Sequence, residues 1–439
     1  MGAIRVCAIL CWFAPVAASQ AGSLQTFYHP EEASLSLSGS LRQIGLYTRG
    51  TDAKRFEAAI VTDIGAGGTA CTSADTFNGC PAIDLRGKRD VGLGSTRLRV
   101  AADLRLRDGL SLVVAYDNEA DYRSLDTLEG RAGSALGSES FLGAEGVLKS
   151  DRHYRWSHEL YRGYLQLETR RFEISVGRQR VAWGVGRLWT PIDRFSALPP
   201  LSIQPDDTPG IDGIDARFNI DGFNYLQFVY APGGSTREAR YAARAHGIYR
   251  DADISIMGGL FEEAGTIGVD FARNVGDAAA RFEAIFTSPK HHFTRLGAAK
   301  AERPGDFWQI VASFDINFDY GTGVYFLAEY LYNGNALGFD PGQNLTLNDQ
   351  DRFGSSRVIT LAEHQFGMQL GYDLTPELRF DLVTLIDADR GSAAFFPNLA
   401  YAPLDSLETR LGVQLFAGPE RSQFGSSEVV VYFLADWFF

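Results

Sequence analysis

From about residue 35 to its last residue, this chain alternates apolar and polar side chains with a period of two. The stretch Arg97 to Arg107, RLRVAADLRLR, shows the pattern most plainly. Leu98, Val100, Ala102, Leu104 and Leu106 share one face, and Arg97, Arg99, Asp103, Arg105 and Arg107 share the other. Successive side chains of a strand point to opposite faces, whereas a helix repeats its apolar residues every three to four positions. No run approaches the roughly 20 apolar residues of a membrane-spanning helix. The longest after the N-terminus is VVVYFLA, Val429 to Ala435. Strands of this kind put their charged face in water, either outside a soluble sandwich or inside a barrel.

Punctuation decides for the barrel. Short turns are expected near 108–109, 169–171, 221–222, 250–253, 275–278, 319–321, 375–377 and 405–406, where hairpin-forming residues interrupt the alternation. The connections between those hairpins are mostly long, polar and glycine-rich: 49–94, 122–155, 182–210, 289–305, 334–355 and 418–426. Short turns at one end and long loops at the other are the asymmetry of bacterial outer-membrane barrels. Eight hairpins, a first strand at 35–48 and a last at 427–439 predict an all-β, transmembrane antiparallel barrel of 18 strands over 35–439. The count falls to 16 if the weak segment 254–274 is not two strands. The even number puts both termini on the periplasmic side. In lipid an unpaired backbone group costs several kcal/mol, so the first and last strands must pair. With 18 Tyr, 30 Phe and 47 Gly but only 3 Met, the composition suits transmembrane strands better than a soluble core.

The two ends carry further signals. Residues 1–21 read as a secretory signal peptide: Arg5, then an uncharged apolar stretch from Val6 to Ala18, then small residues. That stretch is too short to cross a hydrocarbon core of roughly 30 Å as a helix. Residues 22–34 would follow as a periplasmic N-terminal segment. At the other end, SEVVVYFLADWFF sets Val431, Phe433, Ala435, Trp437 and Phe439 on one face. Trp437 and the terminal Phe439 resemble the signal by which the barrel-assembly machinery recognises its clients. The mature chain keeps Cys71 and Cys80, for which a disulfide closing a small loop is the default in an exported protein. The net charge of −13 argues against a nucleic-acid partner, which needs a basic footprint.

With the apolar faces turned to lipid, the lumen receives Arg97, Arg99, Arg105, Arg107, Arg162, Arg240 and Arg244, among other arginines. It also receives carboxylates, Asp117, Asp270, Glu283 and Glu329 among them. Such arginines either form a track that attracts anions or pair across strands and stiffen the wall. Residues 182–210 hold Trp183, Arg187, Trp189, Asp193 and Arg194. A long loop that is not simply polar packs on something, and the inside of the barrel is the available surface. The loop is therefore expected to fold inward as a constriction, the competing reading being an external loop beside an interfacial aromatic girdle. Strict alternation from Phe172 would turn Arg178 and Arg180 toward lipid. Either the strand has left the apolar band there or a bulge turns both inward.

The run GRQRVAWGVGRLW (177–189), preceded by ELYRGYLQLETRRFEISV, resembles an element of porin-like outer-membrane barrels of Gram-negative bacteria. FFPNLAYAPLDSLETRLGVQLFAG (395–418) is similar to their penultimate hairpin, and the alginate-export porin is a relative in architecture. The resemblance spans most of the barrel and is specific in these two stretches. It implies an outer-membrane channel in contact with lipid, with a homotrimer among its assemblies, and it marks 49–94 as an insertion.

Catalytic signatures are missing: no Gly-x-Ser-x-Gly, phosphate-binding glycine loop or His-Glu-x-x-His occurs. His291 and His292 lie in a polar loop, and Asp206, Asp207, Asp212 and Asp215 miss the spacing of known calcium loops. No cofactor or metal is expected. The leading function is passive passage of small hydrophilic solutes, anions in particular if the arginines act as a track. The alternative is a sheath or export conduit around a periplasmic or surface partner, such as a multihaem cytochrome or a polysaccharide. Any haem would come from that partner, since no CxxCH occurs here.

Overall fold

The computed structural model describes residues 26–29, 33–51, 89–106, 109–124, 142–151, 153–196, 203, 208, 210–233, 239–261, 263–289, 305–336, 360–419, 422–425 and 429–439. The expected signal peptide and the Cys71–Cys80 pair lie outside these residues, as does Arg107.

The regular structure of the described chain is all strand, without a helix. The first elements are β1 (Thr26–His29), β2 (Ala33–Thr51), β3 (Arg89–Leu106), β4 (Leu110–Arg123) and β5 (Glu145–Ser150). Next come β6 (Tyr154–Glu168), β7 (Phe172–Gln179), β8 (Ile211–Asn219), β9 (Tyr225–Ala231) and β10 (Arg240–Tyr249). They are followed by β11 (Ala252–Phe261), β12 (Ala264–Val275), β13 (Ala278–Ser288), β14 (Phe307–Phe318) and β15 (Val324–Asn333). The last five are β16 (His364–Thr375), β17 (Leu378–Asp387), β18 (Ser392–Leu404), β19 (Leu407–Ala417) and β20 (Val430–Phe438).

Sequential antiparallel pairing runs from β2 to β4, passes to β6 and continues to β20, which pairs back onto β2 with Leu41 opposite Trp437. The result is a closed barrel of 18 strands. The segment 254–274 contains both β11 and β12, joined by a tight turn, which removes the 16-strand alternative. β1 and β5 are short additions to edges that their neighbours leave free. β1 pairs with the start of β2, past the C-terminal end of β20, and β5 pairs with the start of β6, beyond the reach of β7. β5 lies inside the stretch read from sequence as one long loop.

All eight expected short turns join successive strands at one end of the barrel. At the β10–β11 turn, Arg250 and Asp251 both take positive φ (50° and 62°), the geometry a two-residue hairpin requires. Outward faces are apolar: Val100, Phe228, Ile256 and Ile267 all lie at least half exposed. A contiguous apolar belt of this extent is stable against lipid rather than water. Closure is completed at the C-terminus, where the Phe439 N–H donates to the Gly39 carbonyl and the Gly39 N–H donates back. A Cβ on Gly39 would sit 2.4 Å from the Phe439 ring, so only glycine leaves room for that ring.

Candidate functional site

The loop after β7 starts from a tight exit. Gly177 has φ +126°, and a Cβ there would lie 2.2 Å from the Gly163 carbonyl oxygen on β6. The next residue, Arg178, keeps the outward side that strict alternation assigns, with no bulge in β7. It is neither exposed to lipid nor turned inward. Opposite it on β8 stands Asp212, also outward, and the Arg178 Nε–Asp212 Oδ1 distance is 2.8 Å with both side chains buried. Arg178 donates further to the Leu160 carbonyl, and the Leu142 N–H donates to Asp212 from the segment leading into β5. A charge pair facing outward is tolerated because protein covers it and fills its hydrogen bonds. The pair also ties together the two stems of the loop. It splits the acidic run read from sequence, since Asp215 points inward and accepts from Gln227. No cluster of metal ligands occurs among the described residues.

Beyond Gln179 the chain lies against the inner face of the wall. Trp183 donates its indole N–H to Gln227 on β9 and packs edge-on to Phe195, which meets Phe261 on β11. With Val181, Ile192, Val229, Met257 and Ile285 these rings form a dry cluster. Two carboxylates then take the backbone. Glu283 on β13 accepts from the N–H groups of Val185, Gly186 and Ile192, the last two at 2.6 and 3.3 Å. Glu329 on β15 accepts from Arg187, Leu188 and Trp189 at 2.9, 3.0 and 2.7 Å. The glycines of WGVG make this approach possible. Gly184 has φ +94°, and a Cβ there would be 2.6 Å from the Glu283 carboxylate.

Trp189 fills a second dry cluster with Val311, Leu331, Leu385, Ala394, Phe396 and Phe424. Arg194 donates to Thr287 and Gln309, and its own carbonyl accepts from Arg240 on β10. Asp193 caps the backbone of Phe195 and Ser196. Farther along, Ile203 packs on Tyr432 and Leu434 of β20 and on Ile44 and Leu46 of β2. The Thr208 carbonyl accepts from Arg162 on β6 at 2.7 Å. Of the five loop residues singled out from sequence, only Arg187 is exposed; Trp183, Trp189, Asp193 and Arg194 are buried anchors.

One group of charged residues lies on the wall formed by β3, β4 and β6. Arg99 makes a two-pronged ion pair with Asp117, at 2.7 and 2.6 Å, and Arg97 approaches the same carboxylate at 3.8 Å. A register shift between β4 and β6 makes Tyr161 an extra residue. Arg99 and Arg162 both lie over its ring, 3.3 and 3.9 Å from the centroid. Arg42 pairs with Asp436 across the β2–β20 seam at 2.5 Å. The remaining arginines sit elsewhere. Arg105 pairs with Asp103 near the turn end, largely exposed; Arg244 pairs with Asp270; Arg240 is buried beneath the loop.

No protein-family model and no curated protein matches the sequence. Solved structures match in shape. A BenF-like porin from Pseudomonas fluorescens is 10% identical, with a TM-score of 0.50, covering 92% of this chain and 98% of that one. Acinetobacter baumannii OccAB4 is 8% identical, with a TM-score of 0.50 over 92% and 97%. A doubly substituted variant of OccD1 (OprD) is 10% identical, with a TM-score of 0.51 over 92% and 95%. At such identities the likeness establishes the porin barrel fold for this chain and carries no residue-level role.

Proposed function

We propose that this chain is an outer-membrane channel for passive passage of small hydrophilic solutes, narrowed by the 182–210 loop and favouring anions. The observation that carries the reading is the seating of the loop. It is held on β9, β13 and β15, and touches the β2–β20 seam and β6, all within an 18-strand bore. A barrel of that size is otherwise too wide for its own side chains to fill. The shared fold with a protein described as a BenF-like porin supports the same reading. Arg97, Arg99 and Arg162 supply the attraction. Arg97 and Arg99 both approach Asp117, and Arg162 donates to the carbonyls of Tyr161 and Thr208. Neutral partners leave the positive potential of a guanidinium in place.

A sheath around a multihaem protein or a polysaccharide needs an unobstructed wide bore, and a loop seated on the inner wall argues against it. Planar-bilayer recordings test the proposal. The purified protein is expected to conduct steadily and ohmically, with a reversal potential in a salt gradient that reports anion preference. R99Q/R162Q should lower that preference while conduction persists. A lumen sealed at every voltage would overturn the channel reading, and an unshifted reversal potential in R99Q/R162Q would overturn the anion track.

A further inference from the structure

Five consecutive N–H groups, Val185 to Trp189, together with that of Ile192, end on just two side chains. These carboxylates project from β13 and β15, on either side of β14, where Val311 stands opposite Glu283 and Ser313 opposite Glu329. The arrangement replaces what a neighbouring strand would provide. A buried stretch of irregular backbone must find acceptors, and an ionised carboxylate offers two oxygens able to take several donors at once. Converging backbone N–H groups in turn stabilise a buried anion. Every one of these bonds ends on backbone, so they fix the path of the chain and not the identity of its side chains. What they fix includes Arg187, the exposed residue in the middle of the latched run.

We infer that Glu283 and Glu329 are the positioning residues of the constriction: a two-carboxylate latch that holds 183–196 against the wall and keeps the passage at one width. The inference rests on the channel reading for its consequence and on the hydrogen bonds alone for its mechanism. The latch works without contact with solute. Neutralising both carboxylates also sets an amide N–H2 against N–H donors, so the segment comes loose while the barrel, whose ladders are untouched, stays closed.

The test is E283Q/E329Q in the full chain, read in two ways. Trp183 and Trp189 are buried only by the seating of the loop, so quenching of tryptophan fluorescence by acrylamide reports release whether or not the protein conducts. Single-channel recordings report whether a steady level gives way to flickering between levels. We expect increased quenching and loss of the steady level, with the heat-modifiable electrophoretic mobility of a closed barrel retained. E408Q, at a lumen carboxylate that pairs with Arg410 away from the loop, should change neither. Unchanged quenching in E283Q/E329Q overturns the latch. If the double variant does not form a barrel, E329Q alone decides, with a smaller rise expected and no rise overturning it. A wild type that never conducts, beside a variant that quenches more, would sink the channel reading and leave the latch standing.

Discussion

Single side chains here act mostly by completing someone else's backbone or charge. The Arg178–Asp212 pair shows how asymmetric that dependence is. Removing one partner leaves the other buried and uncompensated, at a cost of about 3–5 kcal/mol, whereas removing both often costs little. R178M should therefore lower the urea midpoint of the barrel in lipid vesicles, and R178M/D212L should recover most of the loss. Equal destabilisation by both variants would mean that the pair is not the unit that matters. Alternation alone placed Arg178 correctly on the outer side. It could not show Asp212 as its partner or the chain before β5 as its cover, because both come from distant segments. Glu283 and Glu329 were legible as lumen carboxylates. Their role was not, since a backbone donor carries no sequence label, although the two glycines of WGVG mark where backbone comes close to something.

At the scale of elements, the loop and its seat are one packing unit. Trp189 is almost fully enclosed by side chains from β14 to β18 and by Phe424. Emptying such a site costs about 3–5 kcal/mol for a Trp→Ala change. W189A is expected to free the loop locally, seen as faster protease cleavage between 183 and 196 with the barrel intact. The seat makes a matching demand. A Cβ on Gly367 of β16 would meet Leu188 at 2.3 Å and Trp189 at 2.9 Å. G367L should therefore displace the loop as W189A does, and an unchanged cleavage pattern would argue that the loop tolerates a second position. The turns were readable from sequence because hairpin chemistry is local. β5 was not, because it exists only as a partner for an edge that β7 abandons. Nor were the dry inner faces: Val229, Met257, Ile285, Val311, Leu331 and Leu385 break the rule that charge faces inward, and they do so because the loop covers them.

For the whole molecule, closure depends on one seam. β2 and β20 are far apart in sequence, and their last contact is the Phe439 backbone against Gly39. G39L would drive the Phe439 ring out of its place. It should reduce the fraction of barrel that resists unfolding in cold detergent, as judged by electrophoretic mobility; full resistance would show the ring to be dispensable. The interior is also uneven. The two larger apolar seats draw mainly on β9 to β18, while β2 to β6 carry Arg42, Arg97, Arg99 and Arg162.

That division has a consequence in time. The loop belongs to the first half of the polypeptide, while the strand residues beneath Trp189 come from the second; the bond between Arg187 and Glu329 already spans 142 positions. Contacts so remote in sequence are slow to form, because the intervening chain must be ordered before they reward it. An assembly intermediate that lacks β14 to β18 would present Trp189 with nothing to cover it, and completed late strands would offer an oily groove until the loop arrives. Docking of the loop is thus a late event that joins the two halves, and a chain stalled before it is the species most exposed to aggregation and degradation.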